Sequence, residues 1–287
     1  MLYRKYTRMK SLVGLLCFSI SLLSYNCSAQ EKSLIIDTIK RNYKLRIPSS
    51  YSGLEKVPVV FVLHGYHNDV KGIGEYTGFD NLSEKNGFIC VYPIGTINDN
   101  DYYIWNAGGI YNEWTNNAND IRFIDSLIQF IVANYSVNEK MIYVAGHSNG
   151  SMMAYNLATH LSEKIAAIAC VSGPMIDDKT IPECPVAVMH IHGDADLAVP
   201  HTGTLQYGFQ IPAVDQVIKK WLEWNNCSTI PVILKYDPKI TALKWQGDAE
   251  VRLYLIHGQG HDWPSIERGG WPASDYIWEF FKENSKK

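Results

Sequence analysis

The sequence predicts an α/β domain with a mostly parallel central sheet and helices on both faces. Three observations predict it. Apolar runs of strand length alternate with amphipathic segments of helix length. Most of those runs are apolar at consecutive positions, as a sheet covered on both faces requires. Finally, 46% hydrophobic against 19% charged residues supply a large core. The 287 residues suit one such domain, because layered α/β enzymes often use about 250. This composition excludes disorder, collagen and coiled coil.

The first elements, across 33–48, read as antiparallel edge strands with a turn near Asn42. Central strands are expected at 57–63, 88–92, 141–145, 166–171, 186–191 and 251–256. Helices are expected at 120–135, 151–161, 214–224 and 274–281. In the first of these helices Ile121, Ile124, Leu127, Ile128 and Ile131 recur at helical spacing. No repeat, low-complexity segment or Gly/Ser linker interrupts the pattern. Aromatic content of 12% exceeds what a core needs, so some rings are expected along a groove or pocket.

The N-terminus has a different character. Arg4, Lys5, Arg8 and Lys10 precede an apolar run over 11–24, too short to span a bilayer, and Cys27-Ser28-Ala29 offers small residues for cleavage. Residues 1–29 therefore read as a signal peptide and 30–287 as the mature domain; an uncleaved anchor and a lipid-carrying Cys27 are the alternatives. Each places the protein outside the cytoplasm, secreted or periplasmic, and the mature protein is expected to have no stable membrane span. Loss of the leader removes four basic residues and no acid, which moves the formal charge from −3 to −7 and disfavours nucleic-acid binding. Four cysteines remain, with three pairings open. Cys90 and Cys170 lie in strand-like runs and read as core residues, while Cys184 and Cys227 form the more plausible bridge. No Cys/His cluster has zinc-ligand spacing.

The chemistry begins at Gly146-His147-Ser148-Asn149-Gly150, between an expected strand and an expected helix. This is a G-x-S-x-G in the context that makes it a nucleophile elbow. A sharp strand-to-helix turn projects the Ser148 hydroxyl above the sheet and presents the Asn149 N–H to an oxyanion. His147, beside the serine, is expected to face bound substrate. A serine hydroxyl needs a base, and the base an orienting carboxylate, each at a later strand end. His192-Gly-Asp194-Ala-Asp196 follows one strand and Gly258-Gln-Gly-His261 another. His261 is the expected base and Asp196, well into its loop, the expected carboxylate; Asp194 is assigned to bonding backbone N–H groups within the loop. The pair His190 and His192 shares a strand face, but no third metal ligand accompanies it. The second oxyanion donor is expected from Leu63-His64-Gly65-Tyr66, through the Tyr66 N–H, with His64 bonding locally.

The order Ser, Asp, His is that of the α/β-hydrolases. Within that fold the chain resembles secreted serine esterases: feruloyl esterases, acetylxylan esterases and polyhydroxybutyrate depolymerase-like proteins. The resemblance runs over 42–281. It is carried by Tyr43-Lys-Leu-Arg-Ile-Pro48, Leu63-His-Gly65, Trp105-Asn-Ala-Gly-Gly109, Asn119-Asp-Ile-Arg-Phe123, the serine elbow, His192-Gly-Asp-Ala-Asp196 and Gly260-His-Asp-Trp-Pro264. It implies hydrolysis of a carboxylic ester through an acyl-serine, without a cofactor, on a small-molecule or polysaccharide-linked substrate. Feruloyl or acetyl groups on plant polysaccharide are the first expectation and hydroxyalkanoate esters the second; a silent binding protein on the same scaffold is a third, against which the complete triad argues. Trp105 and Trp263 are candidates to stack on substrate. Cysteines that relatives carry after the early His-Gly and after Trp-Asn-x-Gly-Gly are replaced here by Tyr66 and Ile110-Tyr111. The difference falls in loops expected to set specificity, around Tyr66, 105–114 and 197–210.

Overall fold

A computed structural model describes residues 29–67, 70–206 and 208–286. The leader and the fate of Cys27 lie outside the described residues. Strands β1 (Gln30–Ile36) and β2 (Ile39–Arg46) form a hairpin, and β3 (Val57–Leu63) leads through α1 (Ile73–Thr77) and α2 (Phe79–Asn86) to β4 (Ile89–Pro93). A two-stranded ribbon, β5 (Thr96–Ile97) and β6 (Tyr103–Ile104), precedes α3 (Tyr111–Trp114) and α4 (Asp120–Asn134). Then come β7 (Val137–His147), α5 (Asn149–His160), β8 (Ala167–Val171) and β9 (Ala187–Gly193). A second ribbon, β10 (Thr204–Gln206) and β11 (Phe209–Ile211), leads to α6 (Val214–Trp224). Strands β12 (Val232–Asp237), β13 (Ile240–Trp245) and β14 (Val251–Ile256) precede α7 (Ala273–Glu283).

Ten strands join one sheet in the order β1-β2-β4-β3-β7-β8-β9-β14-β13-β12. From β4 to β14 all neighbours are parallel; the hairpins at the two ends are antiparallel. Alternation along the central strands divides the core in two. Val59, Phe61, Leu63, Ile142, Val144, Ile168 and Cys170 face α4, α5 and α6, whereas Val60, Val62, Tyr143, Ala145, Ala167 and Ala169 face α2 and α7. This is the α/β-hydrolase fold, a mostly parallel sheet between helices.

The first hairpin differs from expectation. Its turn is Asp37-Thr38, with φ of 48° and 69°, while Asn42 sits in mid-strand opposite Ser33. A two-residue turn with positive φ at both positions matches the twist of the flanking strands, and this fixes the register. The β12–β13 hairpin and α1–α2 add elements that the sequence pattern did not mark. The expected Cys184–Cys227 bridge is also corrected, because both thiols are free. Cys227 Sγ lies against the carbonyls of Asn225 and Ala249, whereas the Cys184 N–H bonds Ser162 Oγ. Among the described residues no helix is long and apolar enough to cross a membrane.

Candidate active site

Strand β7 ends at His147 and α5 begins at Asn149, so Ser148 alone makes the turn, at φ 54° and ψ −120°. A non-glycine residue holds such a conformation only where its surroundings impose it. Here the Ser148 N–H donates to Val171 O on the adjacent strand at 2.8 Å, and Ser148 O accepts the Met152 N–H. Tight packing below the turn requires glycine: a Cβ on Gly146 would lie 2.1 Å from Gly150 O.

The loops after β9 and β14 bring two more side chains to this point. Ser148 Oγ lies 2.8 Å from His261 Nε2, and His261 Nδ1 lies 2.7 Å from Asp196 Oδ2. The carboxylate only accepts, so Nδ1 carries the proton and Nε2 is free to accept from the serine. Asp196 is buried, and its Oδ1 accepts the Ala198 and Val199 N–H groups. Burial alone would raise its pKa, but hydrogen bonds from His192, His261 and the Val199 N–H outweigh it and hold the carboxyl well below the usual range. Asp194 is elsewhere in the loop, accepting from Gly258 N–H and paired with His257 Nδ1.

Asn149 is the first residue of α5, so its N–H has no intrahelical acceptor. Gly65 packs against the elbow, where an added Cβ would meet Ser148 Cβ at 3.2 Å. That contact places Tyr66 beside the serine. His64 shapes this loop: its Nδ1–H donates to Gly65 O at 2.7 Å and its Nε2 accepts from Gly95 N–H at 2.9 Å. Burial pushes the His64 pKa down to about 4.

Two cavities meet at Ser148, His261 and Tyr66. The larger, about 530 Å³, carries Tyr111 and Trp114 together with Asn98, Asp99, Asn100, Glu113 and Gln206. The smaller, about 490 Å³, is walled by Val70, Ile73, Tyr76 and His147. The His147 ring sits 5.3 Å from that of His261, and its pKa is pushed down to about 3, first by burial and then by His261.

Trp105 and Trp263 do not face either cavity. Both are fully buried, which corrects their expected role in stacking on substrate. Trp105 Nε1 donates to His64 O and Trp263 Nε1 to Ser274 Oγ, so each indole braces a loop. Other rings are accessible: exposed Tyr66 stacks on exposed Tyr102 with centroids 4.8 Å apart, and half-buried Trp114 lies 6.4 Å from Tyr66. The 105–114 segment had marked this region, but periodicity says nothing about which of its rings turns inward. Asn98, Asp99 and Asn100 lie outside the segments that the sequence singled out; their position at the cavity appears only in the fold. Asp120 also gains a role, since it pairs with Arg41 and accepts the Asn106 N–H, which fixes the loop after Trp105.

Residues 41–200 match the family model described as Esterase PHB depolymerase. A probable feruloyl esterase C of Aspergillus terreus is 26% identical over 250 residues, covering 84% of this chain and 83% of that one. A bifunctional acetylxylan esterase/xylanase of Neocallimastix patriciarum is 26% identical over 235 residues, 79% of this chain; the chain spans 31% of that relative's length. Among solved structures, an acetyl xylan esterase from Aspergillus awamori is similar with a TM-score of 0.65 at 14% identity, covering 88% of this chain and 99% of that one. The chain belongs to the Esterase PHB depolymerase family of carboxylic ester hydrolases.

Proposed function

We propose that the protein is an exported serine esterase that removes feruloyl or acetyl groups from plant polysaccharide fragments. The observation that carries the reading is the continuous hydrogen-bonded line from Ser148 through His261 to Asp196, opening on two cavities of different chemistry. Export rests on the basic and apolar leader, and the single catalytic domain is 30–287.

In this reading Ser148 Oγ attacks the ester carbonyl while His261 Nε2 takes its proton. The Tyr66 and Asn149 N–H groups hold the oxyanion. His261 returns the proton to the leaving alcohol, water attacks the acyl-serine by the same route, and the acid leaves. Amides, carboxylates and aromatic rings together suit sugar hydroxyls and ring faces, so the larger cavity takes the alcohol side. The apolar wall of Val70, Ile73 and Tyr76 suits the acyl group. The relatives named as feruloyl and acetylxylan esterases support this substrate class. The family description favours a second reading, hydrolysis of hydroxyalkanoate oligomers.

The test is acid release from methyl ferulate, acetylated xylan and a hydroxybutyrate oligomer, by the protein and by Ser148→Ala. Ferulate or acetate release that vanishes in the variant supports the first reading, and preference for the oligomer supports the second. Release unaffected by Ser148→Ala overturns the site assignment.

A further inference from the structure

Behind Asp196 lies a second line of polar side chains that ester hydrolysis as described does not use. His190 and His192 are both 0% exposed, on the same face of β9. His192 Nε2 lies 2.8 Å from Val199 O and 3.3 Å from Asp196 Oδ2. His190 Nε2 lies 3.0 Å from His192 Nδ1, and Tyr155 Oη, from α5, lies 2.9 Å from His190 Nδ1.

Chemistry gives this line a direction. A carbonyl and a carboxylate only accept, so His192 Nε2 carries a proton. With His192 neutral, its Nδ1 accepts from His190 Nε2–H, and His190 Nδ1 then accepts from the Tyr155 hydroxyl. Every donor points toward Asp196. Burial, followed by the neighbouring His192, keeps His190 well below the usual histidine range, and burial raises Tyr155 so that its proton stays on. The groups facing the line leave that direction intact: the Cys170 thiol is raised by burial, Ser151 Oγ donates to Gly173 O, Trp221 packs on Tyr155, and the His201 ring lies 6.4 Å from that of His192.

We infer that Tyr155, His190 and His192 are positioning residues: a buried donor chain that fixes the Asp196 carboxylate and disperses its charge opposite His261. The inference rests on reading Ser148, His261 and Asp196 as the triad. Asp196 Oδ2 serves His261 and His192 at once, so a donor withdrawn on the His192 side concentrates charge on the His261 side. A more strongly stabilised imidazolium moves the acid limb of kcat/KM to higher pH and makes proton return to the leaving group harder.

Two measurements test this. Long-range ¹⁵N–¹H spectra of the labelled protein, assigned with His190→Gln and His192→Gln, should show both rings as neutral Nε2–H tautomers. A protonated ring, or an Nδ1–H tautomer at either, overturns the chain. In kinetics on p-nitrophenyl acetate, His192→Leu should lower kcat about 10- to 100-fold with little change in KM. Its acid limb should move up by about half a pH unit or more. His192→Gln, which keeps an N–H toward Val199 O and Asp196, should recover most of the loss. Tyr155→Phe removes one oxygen and should move the limb the same way by less. If His192→Leu does not fold, Tyr155→Phe and the spectra decide. Folded variants with unchanged kcat and limb overturn the proposal. A wild-type protein with no Ser148-dependent esterase activity overturns the triad reading instead, and the spectra still report on the donor chain.

Discussion

Asn149 holds the backbone of Trp105 with both ends of its amide: Oδ1 accepts the Trp105 N–H at 2.7 Å and Nδ2 donates to Trp105 O at 3.2 Å. The residue after Ser148 thereby fixes the loop that leads to Tyr111 and Trp114. Asn149→Ala strands two buried backbone groups, at about 1–3 kcal/mol each. Urea denaturation should show a loss of about 2–6 kcal/mol, and kcat/KM on a small ester should fall with it. Unchanged stability would show that the loop finds other partners.

The strain at Ser148 yields a stability prediction opposite in sign to its effect on activity. Ser148→Gly relieves a positive φ that glycine adopts freely, so thermal unfolding should shift upward by the equivalent of about 1 kcal/mol while hydrolysis disappears. Gly146→Ala does the reverse, because its Cβ meets backbone at 2.1 Å. A loss of about 3 kcal/mol, or failure to accumulate as folded protein, is expected.

Acid stability should depend on His64. Its ordinary value is 6.5 and its folded value about 4, so the unfolded chain binds the extra proton first. Its contribution is complete above pH 6.5, declines as pH falls, and amounts to a loss of about 3 kcal/mol at pH 4. Unfolding free energies at pH 7, 5 and 4 should therefore fall less steeply in His64→Asn than in the wild type. Parallel curves would contradict the assignment of His64 as a buried neutral acceptor for Gly95 N–H.

The two cavities should separate by substitution. Trp114→Ala should raise KM about 5-fold for a feruloylated oligosaccharide and little for methyl ferulate, one stacking contact being worth ~1 kcal/mol. Ile73→Trp fills the apolar cavity and should suppress ferulate release while acetate release persists. The opposite pattern would exchange the acyl and alcohol sides.

Four thiols should react with a thiol reagent in the denatured protein consisting of residues 30–287, without prior reduction. Reductant should leave its thermal midpoint unchanged.

The sequence alone determined the fold class, the strands at 57–63 and 251–256, the helix at 214–224, and which serine, histidine and aspartate come together. These features are local: apolar periodicity reports which faces are buried, and a glycine-flanked serine between strand and helix reports a forced turn. The tertiary structure alone decided the rest. Trp105 and Trp114 lie in one segment with similar neighbours, yet one indole is sealed beneath His64 O and the other opens on a cavity. Cys184 and Cys227 suit a bridge by elimination, but both thiols are free, and Cys227 Sγ lies against the carbonyls of Asn225 and Ala249. His190 and His192 read as a bare pair on a strand. Only the packing of α5 across β9 supplies Tyr155 at one end, and only the loop after β9 supplies Asp196 at the other. Contacts between residues distant in sequence depend on where whole elements pack, and a hydrophobic pattern fixes the buried face of an element without fixing which side chain it meets there.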